Sequence, residues 1–324
     1  MKVCIYGAGA IGGWIGSGLA RAGCSVSVVA RGATLNALQL HGLRLQQGRQ
    51  VTSQAVASSA APAELGVQDL VVLAVKAPSL PEVVRQITPL IGPDTMVLTA
   101  MNGVPWWFLQ GFGGALAGRQ LMSVDPRGEL AAALPMRHII GCVVHASCSV
   151  EEPGLARHHF GNTLILGEPS GEKTARVRQL AAMLEKAGFD APVSEQIQKD
   201  IWFKLWGNMT VNPISALTGA TTDLIMGDEL VRDFISSVML EAKETGARMG
   251  ISIEQQPEDR HQITRKLGAF KTSMLQDVEA GKAVELDALV AAARELGQLS
   301  GVATPFTDAL LGLARLQARV KGLH

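Results

Sequence analysis

The run VCIYGAGAIGG, residues 3–13, restricts the fold more than any other stretch of the chain. A short apolar run, Val3 to Tyr6, leads straight into Gly7, Gly9 and Gly12 at GxGxxG spacing, and a helical pattern continues to Ala22. In a strand, turn and helix unit the first glycine makes the tight turn and the second lets backbone approach a pyrophosphate. The third allows helix and strand to pack closely. Free N–H groups at the positive end of the helix dipole then hold the anion. Gly7, Ala8, Gly9, Ala10, Ile11 and Gly12 are therefore expected to form a dinucleotide-binding loop. The competing reading, the apolar middle of a secretory signal, conflicts with composition. Gly7, Gly9, Gly12, Gly13, Gly16 and Gly18 all fall inside it, and each costs a helix about 1 kcal/mol relative to alanine.

The length, 324 residues, suits two domains better than one core. Lys plus Arg and Asp plus Glu both total 29, so no net field draws the chain to nucleic acid or an anionic membrane. A small-molecule ligand is the default partner. No stretch approaches the roughly 20 continuous apolar residues of a membrane span. Cys4, Cys24, Cys142 and Cys148 form no CxxC pair, which favours reduced thiols in a cytoplasmic protein over a metal or disulfide site. No metal is expected.

Up to about residue 170, short β-type runs (residues 3–6, 25–30, 70–75 and 95–100) alternate with helix-like stretches such as 12–22 and 80–90. That order implies right-handed βαβ units on a parallel sheet. HIIGCVVHASCSV, ARHHFG and TLILGE follow, with no room for helices between them, and are expected to add antiparallel strands. Beyond about residue 172 the apolar period becomes helical, over 174–187, 195–217, 228–249, 257–280, 284–300 and 304–319. The expected fold class is α/β, a Rossmann-type dinucleotide-binding N-terminal domain (1–170) followed by an all-helical C-terminal domain (171–324), with the junction between 168 and 195.

The second β-type run names the dinucleotide. NAD sites place an acidic residue about 20 residues past the loop, against the ribose 2′-hydroxyl. SVSVVAR instead ends in Arg31, and no carboxylate occurs before Glu64. A guanidinium offers paired donors to a 2′-phosphate, so NADP is preferred over NAD. Ligands of such sheets lie beyond the carboxyl ends of the strands. Four successive strands should end at Gly7, Arg31, Lys76 and Asn102, which makes Lys76 a phosphate contact and Asn102 a contact to nicotinamide or substrate.

In DIWFKLWGNMTVNPISAL, Lys204, Asn208 and Asn212 recur at i, i+4 and i+8 and share one helix face among apolar neighbours. Unpaired buried polar groups cost roughly 1–3 kcal/mol each. The three either pair within the protein or meet a polar ligand. A second polar set, Ser273, Gln276, Asp277, Glu279, Glu285 and Asp287, lies around a break near Gly281, and Glu285 is a candidate carboxylate for Lys204.

Taken together, GAGAIG, Lys76 in VKA, Asn102-Gly103, Lys204 with Asn208 and Asn212-Pro213, SMLQD at 273–277 and VELD at 284–287 resemble the ketopantoate reductase family, in register from residue 3 to about 310. The resemblance implies an NADPH-dependent oxidoreductase that reduces the 2-keto group of 2-dehydropantoate in pantothenate biosynthesis. It implies Lys204 as general acid and Glu285 as a catalytic residue near both substrate and cofactor. Asn208, Asn212 and Ser273 become substrate contacts beside Lys204, while Arg31, Lys76, Asn102 and Ser147 become cofactor contacts. A homodimer is a further expectation. Trp106, Trp107 and Thr222 depart from the family pattern and point to an alternative, a bulkier 2-oxo acid as substrate. A non-catalytic NADP-binding sensor is the remaining alternative, and it would have no use for Lys204, Asn208, Ser273 and Glu285.

Overall fold

A computed structural model describes residues 1–323. Its first part alternates strand and helix: β1 (Lys2–Tyr6), α1 (Ala10–Arg21), β2 (Ser25–Val29), α2 (Gly32–His41), β3 (Leu43–Gln47), β4 (Gln50–Gln54), β5 (Ala57–Ser59), β6 (Gln68–Leu73), α3 (Leu80–Gln86) and β7 (Ile91–Thr99). After a loop come α4 (Glu129–Ala133), the long strands β8 (Ile139–Glu152) and β9 (Leu155–Gly167), and α5 (Ala175–Lys186). All nine strands form one sheet in the order β4-β3-β9-β8-β7-β6-β1-β2-β5.

Six strands, β5-β2-β1-β6-β7-β8, pair in parallel. Numbered by their own sequence they run 3-2-1-4-5-6, the doubly wound order whose direction of winding reverses between β1 and β6. Consecutive buried residues explain these strands. Val3 to Ile5 and Leu70 to Leu73 are fully buried, as expected for strands covered on both faces.

The remaining strands differ from the sequence reading in three ways. β8 continues the parallel sheet, and of these runs β9 alone turns back antiparallel to it. The two runs ARHHFG and TLILGE are one strand, β9, because register shifts near His145–Cys148 absorb the irregularity that looked like a break. The β3–β4 hairpin was invisible, since its residues, LRLQQ and QVTSQ, are mostly polar and half exposed.

The last part is helical: α6 (Ile197–Thr218), α7 (Thr222–Gly227), α8 (Glu229–Arg248), α9 (Pro257–Arg265), α10 (Ser273–Glu279), α11 (Ala292–Leu299) and α12 (Pro305–Lys321), with a π-helical turn at Asp287–Ala291 running into α11. The expected helix over 257–280 is two helices, because the chain turns at Gly268, whose carbonyl accepts from Phe270 N at 2.8 Å. α6 is anchored to α8 through buried indoles: Trp202 Nε1 donates to Ala242 O (3.2 Å) and Trp206 Nε1 to Met239 O (2.7 Å).

By their contacts the described residues divide into two units, Met1–Met101 with Gly128–Asp200, and Asn102–Arg127 with the chain from Ile201 onward. The chain thus passes between units three times, where the sequence reading placed one junction at 168–195. Burial explains both differences. α5 is helical yet packs Val177, Leu180, Ala181 and Leu184 into the core beneath the sheet. In the 102–127 segment Phe108 is fully buried, its ring 6.2 Å from that of Trp202. Among the described residues no helix is long and apolar enough to cross a membrane.

Candidate active site

The glycine loop lies at the carboxyl end of β1, beside the end of β6, where the strand order reverses. Gly7 has φ +99°, and a Cβ on it would lie 2.7 Å from Val75 Cγ1. On Gly12 a Cβ would lie 2.0 Å from Gly7 O and 3.1 Å from Ala74 Cβ. Both positions are closed to any side chain. Gly9 is different: it is the N-cap of α1, no side chain caps the helix, the first turn has no acidic residue, and a Cβ on Gly9 would face open space. An uncapped helix N-terminus with bare backbone at its mouth is an anion cradle.

Arg31 caps α2 and is largely exposed, and its guanidinium pairs with Glu82 on α3. Sequence reasoning missed Glu82, which lies 51 residues away. Lys76 is half-buried just past β6, and Ser147 is half-buried in β8 at the irregular register. Next to it, burial pushes the Cys148 thiol up to about 12, so this sulfur is protonated and inert at neutral pH.

In the second unit the polar stripe of α6 acquires a partner. Lys204 Nζ donates to Asn102 Oδ1 at 2.8 Å. The Asn102 loop is fixed from its other side by the π-helical turn, where Val104 N donates to Ala288 O at 2.8 Å. Gly103, at φ +84°, lies so close that a Cβ would be 2.6 Å from Ala288 O. Glu285, half-buried, stands three residues before Ala288. Lys204, Asn102 and the turn that follows Glu285 are therefore gathered by short contacts among three separated pieces of sequence. The π-helical turn had no sequence signal, although such turns recur at functional sites.

Asn212 is 8% exposed and Asn208 half-buried, and among the described residues neither side-chain amide has a hydrogen-bond partner. Pro213 removes the N–H that would bond the Met209 carbonyl, which disposes α6 to bend beside Asn212. Ser273 is exposed at the first turn of α10, with Thr272 as its N-cap.

The residues that departed from the family pattern are structural. Trp106 and Trp107 are 4% and 1% exposed. Thr222 is 1% exposed, and its hydroxyl donates to Gly268 O (2.6 Å) and accepts from Phe270 N (3.2 Å), clamping the turn between α9 and α10. The variant Thr222→Val keeps the shape and strips both bonds. It should lower the unfolding free energy by about 1–2 kcal/mol, read from urea denaturation, while leaving KM unchanged.

Two family models match the chain, "Ketopantoate reductase PanE/ApbA" over residues 3–171 and "Ketopantoate reductase PanE/ApbA C terminal" over 196–318. The 2-dehydropantoate 2-reductase of Mesorhizobium japonicum is 46% identical over 325 residues, covering all of both chains. The enzyme of that name from Pyrococcus abyssi is 26% identical over 99% of each. Among solved structures, a ketopantoate reductase candidate from Ralstonia solanacearum superposes with TM-score 0.94 at 53% identity, over 99% of each chain. D-mandelate dehydrogenase, solved with NADH, shares the fold at 22% identity and TM-score 0.85, over all of both chains. With both family models matched and a relative this similar along its full length, the chain belongs to the ketopantoate reductase family of oxidoreductases.

Proposed function

We propose that this protein is an NADPH-dependent 2-dehydropantoate 2-reductase, which reduces the 2-keto group of 2-dehydropantoate to pantoate in pantothenate biosynthesis. The observation that carries the reading is the Lys204 ammonium held by Asn102 at 2.8 Å, in a family whose reaction needs a proton donor at a ketone. A protein that only sensed NADP would need the α1 terminus and Arg31, but not this arrangement.

The uncapped start of α1 and the open face of Gly9 fit a dinucleotide pyrophosphate. The backbone of Gly7 to Gly12 would hold it, with Lys76 and Ser147 beside it and Arg31 on the 2′-phosphate. When bound, the nicotinamide supplies a hydride to C2 of the 2-oxo acid. Negative charge then grows on the ketone oxygen, and the Lys204 ammonium stabilises it and delivers a proton there. Asn102 accepts one N–H of that ammonium, which fixes its position. Glu285, half-buried just before the π-helical turn, supplies a carboxylate that assists substrate binding. Asn208, Asn212 and Ser273 offer the remaining hydrogen bonds.

The burial of Trp106 and Trp107 and the engagement of Thr222 with the α9–α10 turn support 2-dehydropantoate over a bulkier acid. The test is a comparison of kcat/KM for 2-dehydropantoate with those for aromatic and branched 2-oxo acids, with NADPH in excess. The expected preference for 2-dehydropantoate is at least ~10-fold. A preference for an aromatic acid would overturn the reading.

A further inference from the structure

Arg260 lies on α9 within PEDRHQ, a segment of mostly charged and polar residues. Its charged neighbours are satisfied. Glu258 pairs with Arg265 (2.5 Å) and His261 (3.3 Å), and Asp259 accepts from the Gln256 backbone at 2.8 Å. Arg260 has no such arrangement: among the described residues its guanidinium has neither a hydrogen bond nor an ion pair. Its Cζ lies 5.7 Å from the centre of the Phe203 ring. Burial lowers its pKa, and no neighbouring charge counters that effect. A charge withdrawn from water beside only an aromatic ring is incompletely compensated.

The opposite wall is equally specific. A Cβ on Gly207 would lie 2.5 Å from Arg260 Nε and 2.7 Å from Nη2. The guanidinium therefore rests on bare backbone in the middle of α6. A glycine weakens a helix interior relative to alanine, so α6 gives up stability where this group needs room. Phe203 and Gly207 stand at i and i+4 on α6, and Lys204 and Asn208 each follow by one residue. Arg260 thus occupies the stripe adjoining the Lys204–Asn208 stripe, within one helical turn of the proposed proton donor.

We propose that Arg260 binds the C1 carboxylate of the 2-oxo acid and so selects acids over uncharged ketones. The inference rests on the proposed function, in which Lys204 faces the C2 ketone. In such a substrate the ketone and carboxylate sit on adjacent carbons, and cations on adjoining stripes of one helix meet both. The paired donors of a guanidinium match the two carboxylate oxygens.

The experiment compares 2-dehydropantoate with its uncharged cyclic ester, 2-dehydropantolactone, which keeps the ketone and lacks the carboxylate. In Arg260→Gln the KM for the acid should rise about 10- to 100-fold with kcat nearly unchanged, while kinetics on the lactone stay as in the wild type. Arg260→Lys should restore part of the loss. Gly207→Ala, which keeps the charge but displaces it, should reproduce the selective loss, and NADPH affinity serves as the check on folding in each variant. A structural role would change both substrates alike. That result, or an unaltered acid-to-lactone ratio in Arg260→Gln, overturns the proposal and leaves the reductase reading intact. A wild-type protein that reduces neither compound overturns the reductase reading and this proposal with it.

Discussion

Replacing Lys204 by alanine should lower kcat by about three to four orders of magnitude while the dissociation constant for NADPH stays within about two-fold. The size follows from two losses at once. The variant removes the positive charge facing the growing oxyanion, and it removes the proton donor. NADPH binding is expected to survive because the loop, Arg31 and Lys76 belong to the other unit. Single-turnover mixing with excess enzyme separates hydride transfer from product release, and cofactor fluorescence gives the binding constant. Full turnover in Lys204→Ala would exclude the lysine as general acid. Its partner should behave differently. Asn102→Ala leaves the ammonium present and removes this one contact, so its loss should be smaller than that of Lys204→Ala, and the difference measures how much of the lysine's effect depends on the 2.8 Å bond.

The second large effect concerns cofactor choice. Arg31→Glu should weaken NADPH by roughly 10²-fold and NADH by only a few-fold, because the guanidinium is read as the partner of the 2′-phosphate. Its ion pair with Glu82 sharpens this expectation. A phosphate arriving at Arg31 must displace or share with that carboxylate, which repels it. Both side chains are largely exposed, so the pair itself is worth at most about 1 kcal/mol. Glu82→Gln should therefore tighten NADPH by up to about five-fold and leave NADH unchanged. The two variants move the NADPH-to-NADH ratio in opposite directions. A constant ratio across wild type, Arg31→Glu and Glu82→Gln would remove Arg31 from the 2′-phosphate site.

Glu82 illustrates what could not be seen in the chain itself. Reading outward from Arg31, the first 63 residues contain no acidic side chain, so the local sequence offers the guanidinium no partner. The sheet order brings α3 back to the end of β2, and proximity created by a crossover has no signature in spacing. The same is true of the Asn102 loop, whose anchor at Ala288 is contributed by a helix 186 positions later, and of Arg260 on Gly207. Helical periodicity likewise could not say which core receives α5, which lies inside the expected junction at 168–195. An amphipathic pattern fixes that a helix forms and which face is apolar, but not which core receives that face.

What sequence by itself determined are the features set by local stereochemistry and period. These are the glycines that only a close βα turn can use, the buried parallel strands, the helical second half, and the i, i+4, i+8 alignment of Lys204, Asn208 and Asn212. Each depends on residues within a few positions of one another, where backbone geometry dictates the outcome. Tertiary structure alone decided that Lys204 is held by Asn102, that Arg31 faces Glu82, that Trp106, Trp107 and Thr222 belong to packing, and that a guanidinium without an ion-pair partner lies against Gly207. Those are contacts between distant segments. Burial and hydrogen-bond satisfaction over the whole molecule select them, and no local rule reports that selection.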